Sequence, residues 1–95
     1  MRISPAQRQA IKSVLKSVFK TNAIYLFGSR VDDAKRGGDL DLLVIGDGPF
    51  EMDDFLRARL ELMRRLGEQK IDLVYERKGE LSTFGRVSKA RAIKL

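Results

Sequence analysis

Asp39 and Asp41 stand two residues apart, immediately before the apolar run Leu42-Leu43-Val44-Ile45. In a strand, side chains two apart share a face. Their carboxylates therefore project together, while Leu40, Leu42 and Val44 point the other way. Left unpaired, two such groups repel and raise one another's pKa. A bound divalent cation is the simplest reason to keep them. Hard oxygen ligands suit Mg²⁺, which takes one or two carboxylates and completes its shell with water and phosphate oxygens. Upstream, the run Ala23-Ile24-Tyr25-Leu26-Phe27 ends at Gly28-Ser29. Gly28 permits a tight turn and close approach of a ligand to the backbone. N–H groups exposed after such a turn form an anion-binding concavity. A phosphate cradle joined by a short loop to a metal-carboxylate pair suggests nucleotide chemistry.

The elements that must position these residues follow from the pattern of the chain. Ser4 can cap a helix, Pro5 fits its first position, and Gln7 completes a capping box. Ile11, Val14, Leu15, Val18 and Phe19 then form one apolar stripe, and Thr21-Asn22 ends it. A buried strand is expected over 23–27. The loop over 30–38 is polar; its first part suits a helical turn aimed at phosphate, and Lys35-Arg36-Gly37-Gly38 reads as a flexible basic turn. A second strand spans 39–45, broken by Gly46-Asp47-Gly48-Pro49. A second helix over 52–66 turns Phe55, Leu56, Leu60, Met63 and Leu66 inward and Arg57, Arg64 and Arg65 outward, with Gly67 as its stop. Its Met and Leu stripe reads as core or interface. A third strand spans 70–76. A weaker helix over 80–92 carries Leu81, Phe84 and Val87 at spacing three.

Gly-Ser, nine intervening residues, then Asp-x-Asp resembles the signature of the nucleotidyltransferase superfamily related to the palm of polymerase β. The small size is similar to its minimal nucleotidyltransferase branch, the MNT or MntA-like antitoxins whose partner is a HEPN-domain toxin. The resemblance covers residues 1 to about 76 well and the remainder poorly. It implies a third carboxylate on a later strand, and Ile71-Asp72-Leu73-Val74-Tyr75 offers Asp72. A charge flanked by apolar residues is expensive to bury unless paired or metal-bound. The alternative is that Asp72 caps the strand or pairs with Lys70. The implied fold is α/β (α+β), a two-layer sandwich. A small mixed sheet is covered by helices on one face, and the other, carrying Asp39, Asp41 and Asp72, is left open.

Ninety-five residues suit one domain, 1–95, with an adequate but modest core. No apolar run approaches the roughly 20 residues of a membrane span, and Met1-Arg2-Ile3-Ser4-Pro5 lacks the apolar core of a signal peptide. A cytoplasmic protein is expected. Cysteine and histidine are both missing, so disulfides, thiolate metal sites and an imidazole base are excluded. Catalysis would have to run on carboxylates, metal, hydroxyls and backbone. The net charge of +6 is uneven: residues 77–95 hold six basic groups against Glu80 alone. Such a basic tail can meet nucleic acid, a triphosphate or an acidic partner, or be a solvated end.

By resemblance, the expected activity is transfer of AMP from ATP to a hydroxyl, tyrosine above all, on a partner protein. Asp39 and Asp41 would hold two Mg²⁺ ions, and Asp72 would bind the catalytic one and help deprotonate the acceptor. Gly28 and Ser29 would hold the terminal phosphates, with Arg30 adding a charge-assisted contact. Taken alone, Ser29 is equally a helix cap and Arg30 an exposed cation. A second reading is a non-catalytic antitoxin that occludes its toxin. A third is nucleotidyl transfer to RNA or a small molecule; relatives that do so carry extra domains, and the basic tail keeps RNA as a minor partner class. No aromatic residue is placed by the sequence to stack on the base.

Overall fold

The computed structural model describes residues 3–31, 39–67 and 69–95. Helix α1 (Pro5–Phe19) begins as expected, with Ser4 Oγ accepting from the Gln7 N–H at 3.0 Å and Gln7 Oε1 accepting from the Ser4 N–H at 2.8 Å. It stops at Lys20, whose left-handed φ of 57° turns the chain. Strand β1 (Ile24–Phe27) leads directly into a 3₁₀ turn, Gly28–Val31. Strand β2 (Leu40–Gly46), helix α2 (Met52–Leu66) and strand β3 (Ile71–Arg77) follow. Helix α3 (Thr83–Arg91) and the two-residue strand β4 (Ile93–Lys94) complete the order. The basic turn expected around Lys35 lies outside the described residues.

The sheet order is β3-β2-β1-β4. Strand β2 runs antiparallel to β1 and parallel to β3, and α2 makes the crossover between β2 and β3. The sheet is therefore mixed, as expected. Alternation sorts its faces. Ile24, Leu26, Leu40, Leu42, Val44, Ile71 and Leu73 pack with Ile11, Val14 and Leu15 of α1 and Ala58 and Leu62 of α2 into one core. Among the described residues, no helix is long and apolar enough to cross a membrane.

Three expectations need correction. Helix α2 buries Ala58 and Leu62, flanked by half-buried Phe55 and Leu66, whereas Leu56 and Leu60 are 50% and 63% exposed. Helix α2 carries two apolar lines, and the choice fell on the one with the small residue. Ala58 lets the helix approach α1 and the sheet closely, and the bulkier Leu and Met line is left outside.

The segment over 77–95 is also more than a tail. Ile93 pairs with Leu26, the Leu95 N–H donates to the Ile24 carbonyl at 2.8 Å, and Arg8 donates to the Leu95 carbonyl at 3.0 Å. Leu95 is buried in the core. Five of its six cations are therefore carried on helices or strands, and Lys78 on the turn after β3.

Third, α3 lies against the second face of the sheet, so that face is open only in part. It docks with Gly85 and Ser88 inward, leaving Phe84 and Val87 exposed. Small residues are required there: a Cβ on Gly85 would sit 2.0 Å from Glu76 Oε1. Glu76 in turn accepts from the Ser82 N–H at 2.9 Å and from the Ser82 hydroxyl, while Ser82 Oγ caps the helix through the Gly85 N–H.

Candidate active site

Parallel pairing of β2 with β3 puts Leu40 beside Ile71 and Asp41 directly beside Asp72. Both carboxylates occupy the second face, because Leu40, Leu42, Ile71 and Leu73 on either side of them are claimed by the core. A separation of about thirty residues in sequence thus becomes one inter-strand spacing, about 4.8 Å. The Asp41 carboxyl is pushed up to about 6. Burial is the main cause, followed by the hydrogen bond and repulsion from Asp72, with Asp39 adding more repulsion and Lys70 opposing it. Asp72 is exposed, so the pair presents one sheltered and one accessible oxygen cluster.

Asp39 stands just before β2. Lys70, just before β3, reaches it at 3.3 Å, and this contact raises the ammonium pKa. The cation expected as an alternative partner for Asp72 is therefore an Asp39 partner. The register explains it, since residues 39 and 70 precede the paired Leu40 and Ile71. Among the described residues, no three carboxylates form a preassembled metal cage. The donor set nevertheless suits Mg²⁺, which needs only one or two carboxylates. The repulsion that raises Asp41 is also what a divalent cation would relieve.

Gly28 is tied to this pair by sterics. Antiparallel pairing sets Phe27 opposite Asp41, and Gly28 follows with φ of 76°. A Cβ there would lie 2.1 Å from Asp41 Oδ2. Only glycine lets the turn close against the carboxylate. Ser29 follows within the same 3₁₀ turn. Arg30 donates to Gln69 Oε1 at 3.2 Å, and Gln69 donates to the Leu66 carbonyl at 3.3 Å. Arg30 thus links the turn to the end of α2.

Other residues around the carboxylates were not legible beforehand. A cavity of about 340 Å³ is lined by Asp41, Asp72, Phe27, Phe84, Arg59 and Phe55, together with β3 from Ile71 to Val74. The Phe27 and Phe84 rings meet edge to face at 6.0 Å between centroids. Phe84 is 55% exposed beside the carboxylates. Gln69, Arg59 and Phe84 carry no motif, and only their position in space associates them with the site.

A turn closed by glycine, a carboxylate pair from adjacent strands and a sheet of this order are one construction. No curated protein matches the chain. Residues 9–91, including the region expected to match poorly, fit the family model described as polymerase beta, nucleotidyltransferase. The chain belongs to that family.

Proposed function

We propose that this chain is a Mg²⁺-dependent nucleotidyltransferase that moves AMP from ATP to a hydroxyl, most naturally a tyrosine, of a partner protein, and so acts as the antitoxin of a HEPN-type toxin. Family membership supports nucleotidyl transfer as the reaction class. The observation that carries the reading is the Asp41–Asp72 register with Gly28 closed against Asp41. Apolar and aromatic lining beside the carboxylates supports a protein side chain as acceptor over a phosphate-rich strand.

Asp39, Asp41 and Asp72 would hold the metal, which supplies Lewis-acid polarisation of the phosphoryl oxygens. The backbone of Gly28 and Ser29 would seat the terminal phosphates. Asp72, exposed beside Asp41, would take the acceptor proton at its carboxylate. The acceptor oxygen then bonds to the α-phosphorus, the bond from that phosphorus to its bridging oxygen breaks, and pyrophosphate leaves. Intact mass spectrometry of the protein encoded next to it, co-purified and incubated with ATP and Mg²⁺, tests the reading. A partner that never gains AMP would favour a non-catalytic antitoxin, for which the exposed Leu and Met line of α2 offers a docking surface.

A further inference from the structure

Strand β3 is the edge of the sheet. It pairs with β2 on one side and, among the described residues, with no strand on the other. The Leu40 N–H donates to the Lys70 carbonyl at 3.0 Å, and the Lys78 N–H to the Gly46 carbonyl at 2.8 Å. Even-numbered residues of this segment therefore bond to β2. By alternation, the N–H and C=O groups of Ile71, Leu73 and Tyr75 point outward. An unpaired edge of this kind is a template for another strand.

The surroundings suit one. Four consecutive residues of β3, Ile71 to Val74, line the cavity that holds Asp41 and Asp72. A cavity that touches every residue in turn follows the edge of a strand rather than one face. Helix α2 forms its far wall through Phe55 and Arg59. The opposite side of α2, with Arg57, Glu61 and Arg65, shares a recess with α1. At about 100° per residue, Met52, Leu56 and Met63 therefore lie toward the β3 side, 65%, 50% and 38% exposed, whereas Leu60 points directly away from the core. Among the described residues Arg59 makes no ion pair.

We propose that the acceptor segment of the partner protein docks as an added β-strand on the free edge of β3. This rests on the reading of Asp72 as the group beside the acceptor hydroxyl. Strand periodicity then dictates the chemistry of the segment. The hydroxyl residue faces Asp72. Its two neighbours face α2, where an acidic side chain meets Arg59 and an apolar one meets Phe55. Main-chain bonds to Ile71 and Leu73 supply affinity, and the alternate side chains supply selectivity.

The probe is the peptide acetyl-Thr-Leu-Thr-Glu-Tyr-Leu-Thr-amide, fluorescently labelled, titrated into the full chain without ATP. N-methylation of one alternate set of amides should weaken binding about tenfold or more, and methylation of the other set should leave it within about twofold. Arg59→Glu should weaken the probe similarly, and replacing the probe's Glu by Lys should restore binding to that variant. Equal sensitivity of both amide sets would overturn the proposal, as would no binding by a chain that still binds Mg-ATP. A dimer in sedimentation with the Ile71 and Leu73 amides protected from hydrogen exchange would assign the edge to a second copy and overturn it too. So would protection of those amides by single-stranded RNA but not by the probe. A probe that binds in the expected register yet never gains AMP supports the docking mode and counts against the transferase reading alone.

Discussion

Asp41 is where the electrostatics of the site can be read without any ligand. Its folded-state pKa of about 6 lies above the ordinary value of 3.8, so the folded chain holds a proton that the unfolded chain releases. Its contribution to stability is fully present below about 4, falls as pH rises through about 6, and stays lost above that. Asp41→Asn should accordingly stabilise the metal-free protein at pH 7.5. After discounting for solvent screening of a half-exposed group, the gain is on the order of 1 kcal/mol. It should vanish below pH 4, and urea melts at the two pH values provide the comparison. A variant no more stable at pH 7.5 would mean that neither burial nor the neighbouring Asp72 and Asp39 burden Asp41. Gly28→Val tests the other half of the site. It needs a β-branched residue at φ of 76° with its Cβ on the Asp41 carboxylate. Expected are a destabilisation of about 1–2 kcal/mol and weakened Mg-ATP binding in calorimetry. Normal nucleotide affinity would remove Gly28 from the phosphate cradle.

Elements place these residues, and α2 shows how a helix is oriented by its smallest member. Leu62 is fully buried against the sheet and α1, while Leu60, two residues earlier, is 63% exposed. Leu62→Ala should cost about 2–4 kcal/mol, by lost transfer energy and the cavity left behind. Leu60→Ala should change stability by less than about 0.5 kcal/mol. Denaturant midpoints of the two variants decide it, and equal losses would mean that the helix is rotated from this placement. Helix α3 follows the same logic, since Gly85 and Ser88 rather than Phe84 and Val87 seat it. Its hold on the sheet runs through the Ser82–Glu76 contacts. Ser82→Ala removes the cap and the hydroxyl contact to Glu76, while the backbone N–H of residue 82 still donates to that carboxylate, so a loss of about 1 kcal/mol is expected, with earlier hydrogen exchange confined to residues 83–91.

At the scale of the molecule, the mixed sheet is what makes a site. The antiparallel β1–β2 hairpin brings Gly28 to Asp41, and the parallel β2–β3 pair brings Asp72 to the same place from the other side. One core face holds the sheet to α1 and α2, so the second face is free to carry charge. If the proposed transfer is right, Asp72→Asn should keep nucleotide binding and cut AMP transfer to the partner by a factor on the order of 10² or more, the scale of a lost base and metal-positioning group. Intact mass of the partner reports it. Equal modification by both forms would take that role from Asp72.

What the sequence determined by itself was local and periodic. The Ser4-Pro5-Gln7 cap, the three strands and the placement of Asp41 on the face opposite Leu40 and Leu42 depend on neighbours within a few residues, and the period of two sorts a strand's faces without reference to the rest of the chain. The glycine turn was legible too, because its requirement is steric. Tertiary structure decided the rest. Helix α2 offered two apolar lines of similar strength, and only packing against α1 and the sheet selected the one through Ala58 and Leu62. The partner of Lys70 followed from strand register, which the sequence of one strand does not contain. The last nineteen residues read as a basic tail because their hold on the fold is made by contacts distant in sequence, a two-residue strand beside β1, a buried Leu95 and a carbonyl bonded to Arg8 among them. Phe84 and Arg59 reached the carboxylates only because helices far apart in sequence converge on the β3 edge. Contacts of that kind leave no periodic trace, since they depend on where whole elements come to rest.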